Sequence, residues 1–167
     1  MNDTKLCGVI SRKLNGVGNL LDIGCENGLV SCLANKLNKK IIGLDISAKG
    51  FIKAHNHCKK FEACNLIDCI KGNAHNMKIF KNSEFDAITL VYALHHMNKP
   101  EIVPKEAKRI LKPNKRIIMV EHIIRKRRSK CYKFVKEEIS KMLENVGFRN
   151  TIIQRSEEDI ILVTSKK

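Results

Sequence analysis

Short apolar runs alternate along this chain with segments whose apolar residues recur at helical spacing. Leu6, Val9, Ile10 and Leu14 follow the helical period, and Gly16 and Gly18 end that segment. Leu20 to Ile23 then reads as a compact buried strand running into Gly24. Leu29, Cys32, Leu33, Lys36 and Leu37 predict a helix with one apolar face, and Ile41 to Ile46 a second strand. Ser47 suits a helix N-cap, with Phe51, Ala54, His55 and Cys58 on one face of the helix behind it. Asn65 to Ile70, Phe85 to Val91 and Arg116 to Val120 predict three further strands. Between the last two, Val103, Ala107, Ile110 and Leu111 form a helical stripe that Pro113 should stop. A final helix carries Val135, Ile139, Met142, Leu143 and Val146 and closes at Gly147. Thr151 to Ile153 and Ile160 to Val163 suit a closing hairpin.

Five strands alternating with helices imply right-handed crossovers and an α/β fold with a doubly wound, mostly parallel sheet. The hairpin should add an antiparallel strand at one edge. No repeat or linker divides the 167 residues, so one domain is expected over 1–167. Within it, 1–18 would form an N-terminal helix and 19–120 a ligand-binding core. A basic loop, the last helix and the hairpin would fill 121–167.

Composition adds a question of charge. Thirty-two Lys and Arg against 17 Asp and Glu give +15, which can signal nucleic acid or another acidic partner. However, 24 Lys, 21 Ile and 15 Asn make up 60 of the residues, a bias that an AT-rich genome produces without any partner. No apolar run is long enough to span a bilayer, and Asn2, Asp3 and Lys5 do not read as a signal peptide. A cytoplasmic protein is therefore expected. Seven scattered cysteines without a CxxC pair are then expected to be free thiols. His55, His57, Cys58, Cys64, Cys69 and His75 match no zinc-module spacing, so no metal is expected.

In parallel sheets, ligands bind beyond the carboxyl ends of the strands. The first strand ends in Asp22-Ile23-Gly24-Cys25-Glu26-Asn27-Gly28. A dinucleotide fingerprint would need glycine at 26 and 29, where this chain has Glu and Leu. Glu26 would repel phosphates, so a cofactor carrying positive charge fits better. Asp45, at the end of the second strand, is placed to accept hydrogen bonds from ribose hydroxyls. The competing reading of Asp45 is a helix-capping acid, which the glycine turn upstream makes the lesser of the two.

These segments resemble the class I S-adenosylmethionine-dependent methyltransferases, especially the type-11 group that includes quinone-biosynthesis-like enzymes. Leu20 to Gly28 is similar to their first motif, and Asp45 falls at the ribose-binding acid. Gly72-Asn73-Ala74 resembles the adenine segment, and Phe85 to Ile88 with Leu94-His95-His96-Met97 the fourth-strand motif. Glu106 to Pro113 followed by Arg116 to Ile118 resembles the helix and strand beyond it. The resemblance implies a Rossmann-like seven-stranded sheet and S-adenosylmethionine as cofactor. It implies that Asp22 and the Gly24 backbone hold the methionine amino end, with Gly28 opening the helix beside them. Asp45 would take the ribose, Ile46 would pack on the adenine, and Asn73 with the Ala74 amide would read its edge. Val91 would border the methionine part. Glu26 stands where the family has its middle glycine, and Asn114 and Lys115 replace a glycine pair. Asn73 stands where Asp is common, so its contact to the adenine amino group depends on which way the amide oxygen faces.

Methyl transfer needs an acceptor in line with the methyl group and a route for any proton it carries. Candidate bases on the same rim are His95 and His96, with Tyr92, Glu121 and His122 also facing the acceptor. A purely structural histidine turn is the competing reading of His95 and His96. Val91-Tyr92-Ala93-Leu94 lacks the Asn/Asp-Pro-Pro-aromatic motif for exocyclic base amines, and no Pro-Cys pair is present for cytosine chemistry. A small or medium metabolite is the favoured acceptor. RNA or protein is the alternative, gripped by Arg125, Arg127 and Arg128 in a basic run that can also be a solvated loop. A catalytically inactive cofactor-binding or partner subunit is the reading from another class. With about 18 residues before the first motif, the site is expected to be open or to need a second subunit as its lid.

Overall fold

The computed structural model describes residues 3–25, 29–47, 56, 59, 64–123, 134–157 and 160–167. Its elements run in chain order as α1 (Asp3–Lys13), β1 (Leu20–Ile23), α2 (Leu29–Leu37), β2 (Ile41–Asp45) and β3 (Ile67–Lys71). After them come β4 (Phe85–Val91), α3 (Ile102–Ile110), β5 (Leu111–His122), α4 (Lys136–Asn145), β6 (Arg149–Glu157) and β7 (Ile160–Lys166). They build one seven-stranded sheet of order β3-β2-β1-β4-β5-β7-β6. The first five strands pair in parallel. The antiparallel strand is β7, which lies inside the sheet between β5 and β6 and leaves β6 at the edge. The expected antiparallel strand is therefore present, one place in from the edge.

Alternation along the central strands explains why they read as unbroken apolar runs. Leu20, Ala87, Val91, Ile118 and Val120 face one layer, where they join Leu6 and Ile10 of α1 and Val30 and Leu33 of α2. Leu21, Ile23, Ile88, Leu90, Ile117 and Met119 face the other, against Val103, Ala107 and Ile110 of α3 and Ile139 and Leu143 of α4. A sheet covered on both sides has no solvent face on which to place polar residues. The exceptions inside these strands are consequently informative. Asp22, Asp45, Thr89 and Glu121 are buried on β1, β2, β4 and β5.

Two expectations are corrected. The helix before β5 ends at Ile110, and Leu111, expected in its stripe, instead pairs with Phe85 as the first residue of β5. Pro113 lies within β5, where the register jumps from Leu111 to Arg116, so its missing N–H costs no ladder bond. The thiols are not all free either. Cys7 of α1 and Cys32 of α2 form a disulfide with Cα atoms 6.3 Å apart, because these helices pack side by side on one sheet face. Cys25 and Cys69 are free. The helix expected from Phe51 to Cys58 falls outside the described residues, except for Asn56, which is helical. Among the described residues no helix is long and apolar enough to cross a membrane, and no cluster of His, Cys, Asp or Glu is arranged to hold a metal.

Candidate active site

The carboxyl ends of β1, β2, β3, β4 and β5 open onto a cavity of about 980 Å³. Gly24, Asp45, Tyr92, His95, His96 and His122 line it, as the strand-end reading expects, and so do Ile46, Asn73 and Ala74, which the resemblance implies. Gly28, Arg125, Arg127 and Arg128 lie outside the described residues. Asp22 and Val91 are buried behind the wall, not in it. In a chain with 32 Lys and Arg, the described cavity wall contains neither, while Asp22, Asp45 and Glu121 stand in or behind it. The charge of these described residues therefore opposes that of the molecule and suits a cationic ligand.

The turn after β1 depends on glycine. Gly24 has φ +75°, and its N–H donates to the Leu44 carbonyl at 2.7 Å. A Cβ there would sit 2.5 Å from the Ala93 Cβ, so the missing side chain lets the turn after β4 close against the turn after β1. Gly24→Ala is expected to destabilise the protein by about 2 to 4 kcal/mol, combining left-handed strain with overpacking. Thermal or urea unfolding measures it, and an unchanged midpoint would show that the two turns can separate freely.

Asp22 sits opposite Thr89 in register, and the Thr89 hydroxyl donates to its Oδ1 at 2.5 Å. Its Oδ2 is buried without a hydrogen-bond partner. Burial pushes the Asp22 pKa up to about 7, against the lowering effect of the Thr89 bond, and nearby Asp45 raises it further. Asp45 accepts the Ser47 N–H on Oδ1 at 2.9 Å, as a capping acid would. Its carbonyl meanwhile takes the Gly72 N–H at 2.9 Å. The second Asp45 oxygen has no partner among the described residues and belongs to a residue of the cavity wall.

Tyr92 leaves β4 with φ +52°, an uncommon conformation for an aromatic residue, held by its N–H bond to the Val120 carbonyl at 2.8 Å. Its ring stacks on His122, with centroids 4.7 Å apart and planes 21° from parallel. A short 3₁₀ turn, Leu94–His96, follows. It folds over Glu121, which is completely buried and does not face the acceptor space as expected. One Glu121 oxygen accepts the Leu94 N–H and the other meets His95 Nδ1, both at 2.7 Å. The carboxylate fixes the imidazole with its proton on Nδ1, which leaves Nε2 with a lone pair. His96 lies against the same ring, centroids 4.0 Å apart.

Sequence patterns missed three supporting residues. Thr89 was detectable as the single polar residue in the run Ala87 to Val91. His75 joins two loops, with Nδ1 on Asn73 Oδ1 at 2.8 Å and Nε2 accepting the Lys99 N–H at 3.4 Å. Arg109 donates to the carbonyls of Met77 and Phe80 and to Glu106, whose Oε2 also takes the Met77 N–H. This clamp ties the segment after Asn73 to α3, and no local motif marks it.

The cofactor that the resemblance implies is tested by these groups. A partnerless carboxylate oxygen of Asp22, buried behind the wall, fits an ammonium or sulfonium charge nearby, and the second Asp45 oxygen fits a hydroxyl. Ile46, 67% exposed at the rim, offers an apolar face to a ring. The residues fit.

A family model described as "methyltransferase domain" matches residues 21–119, more than half of the chain. The chain is 32% identical over 107 residues to a chloroplastic 2-phytyl-1,4-beta-naphthoquinone methyltransferase of Arabidopsis thaliana, covering 61% of this chain and 41% of that protein. A ubiquinone biosynthesis O-methyltransferase of Pelagibacter ubique is 34% identical over 95 residues, covering 57% and 38%. The chain thus spans about two fifths of the length of these curated relatives. In fold it matches a SAM-dependent methyltransferase from Aquifex aeolicus with a TM-score of 0.78 at 15% identity, covering 95% of this chain and 88% of that one.

Proposed function

The chain belongs to this methyltransferase domain family, and on that premise we propose that it transfers a methyl group from S-adenosylmethionine to the hydroxyl of a small, planar metabolite. The observation that carries the proposal is the acid-backed cavity at the strand ends, whose described wall has no Lys or Arg. Asp22 would act on the methionine amino end from behind the wall, with Asp45 facing the ribose and Ile46, Asn73 and Ala74 the adenine. When bound, the cofactor supplies an electrophilic methyl group on a sulfonium.

The protein's own share is orientation and one proton. The stacked Tyr92 and His122 offer a flat wall to an aromatic acceptor. His95 Nε2 would take the proton that a hydroxyl loses as its oxygen is methylated, and Glu121, bonded to Nδ1, would stabilise the imidazolium that results. Relatives named for quinone methylation support an acceptor of this shape. The absence of Lys and Arg among the described wall residues favours such a metabolite over a phosphate-bearing polymer.

Calorimetry with S-adenosylmethionine and its demethylated product tests the cofactor assignment. Binding is expected below millimolar concentration, and its absence would overturn the proposal. Asp45→Ala is expected to weaken binding by about 10- to 100-fold through loss of a charge-assisted bond. Unchanged affinity would remove Asp45 from the ribose role.

A further inference from the structure

We propose that Asn73 reverses the hydrogen-bond polarity of this protein's nucleobase site, so that a 6-oxopurine is accepted about as well as a 6-aminopurine. The inference rests on the cofactor reading above and specifies which base that site tolerates.

The orientation of the Asn73 amide is set by a group that can only donate. The backbone N–H of His75 donates to Asn73 Oδ1 at 2.9 Å, and His75 Nδ1 approaches the same oxygen at 2.8 Å. His75 is in turn held by the Lys99 N–H on Nε2, which requires the proton on Nδ1. Both bonds therefore call for the oxygen, and the amide nitrogen is left without a partner among the described residues, on a side chain of the cavity wall. An aspartate making the same turn would leave a second acceptor oxygen in that place. This chain leaves an NH₂ donor. The next residue, Ala74, also lines the cavity, and its backbone N–H has no partner among the described residues.

On the cofactor reading, these two adjacent donors would meet the purine edge. A 6-aminopurine offers a donor at its 6-position and an acceptor at N1, whereas a 6-oxopurine offers an acceptor at its 6-position and a donor at N1. Against Asn73 and Ala74, each base makes one matched and one opposed contact. Against an aspartate at 73, the amino base would match twice and the oxo base not at all. Discrimination between the two bases is consequently lost at residue 73, while sugar and amino-acid contacts are unaffected.

The test is calorimetric binding of S-adenosylhomocysteine and S-inosylhomocysteine to the wild-type protein and to Asn73→Asp. The wild type is expected to bind the two within about threefold of each other. Asn73→Asp, with its melting temperature checked, is expected to favour the adenosyl compound by about tenfold or more, the size expected of a matched contact replaced by an opposed one at a half-open site. A wild-type preference of tenfold or more for the adenosyl compound overturns the inference alone. So does an Asn73→Asp protein with wild-type selectivity. Binding of neither compound by the wild type overturns the cofactor reading together with it.

Discussion

Replacing Asp22 by asparagine is expected to make the ligand-free protein more stable above neutral pH while removing most of its affinity for S-adenosylmethionine. The wild-type carboxylate is 1% exposed, with one oxygen on Thr89 and the other unpaired. Burial holds its pKa at about 7, against 3.8 in the ordinary state. Between these two values the folded protein keeps a proton that the unfolded chain has released. The Asp22 contribution to stability is therefore complete below pH 4, falls as pH rises to 7, and is lost above it. Its full span is about 4 kcal/mol. Asparagine carries no charge, so the advantage of Asp22→Asn over wild type should open across pH 4–7 and then stay constant. Urea unfolding at several pH values measures that difference, and a gap independent of pH would show that Asp22 is ionised throughout.

Binding should move the other way. A cationic ligand draws the carboxylate into its charged form, so wild-type affinity should climb with pH until about 7, whereas Asp22→Asn should bind weakly at every pH. A variant that is both more stable and less able to bind marks a residue whose burial is kept for its ligand. If Asp22→Asn binds as the wild type does, the unpaired oxygen has no part in holding the cofactor.

The sheet and the ring of strand-end residues were legible because both follow from local pattern. Buried parallel strands are short apolar runs, and the geometry of the fold turns the residue after each run toward one cavity. Gly24, Asp45, Tyr92 and His95 were found in that way, and Asn73 through the family resemblance. What stayed hidden depends on register and packing between distant segments. The pairing of Asp22 with Thr89 joins residues 67 apart, and only the β1–β4 register brings them face to face. Glu121 follows Val120 in the alternation of β5, but its sequence position does not reveal that the turn after β4 folds over its carboxylate. The disulfide of Cys7 and Cys32 likewise depends on how α1 and α2 pack, so their spacing carried no signal. Pro113 misled for a related reason, because a register jump removes the ladder bond that it would otherwise break.

The same pairing of Glu121 with His95 leads to the larger kinetic effect. His95→Ala is expected to lower methyl transfer to a hydroxyl acceptor by about 10²- to 10⁴-fold, the usual worth of a positioned general base. Its affinity for S-adenosylhomocysteine should stay within about threefold of wild type, since the wall groups proposed to hold the cofactor remain. Glu121→Gln acts through His95 and is a change in a positioning residue. It keeps an oxygen for the Leu94 N–H or for the imidazole but loses the charge that stabilises the imidazolium, so a smaller loss of about tenfold or more is expected. Added imidazole separates the two roles. It should restore part of the activity of His95→Ala, where a space replaces the base, and none of that of Glu121→Gln, where the ring is still in place. Transfer of labelled methyl groups into an extract fractionated into metabolites, RNA and protein supplies the acceptor for these assays. Full activity in His95→Ala would reduce the pair to a brace for the turn after β4. Loss of activity without imidazole rescue, accompanied by loss of cofactor affinity, would point to that same bracing role, because a general base contributes to turnover and not to holding the cofactor.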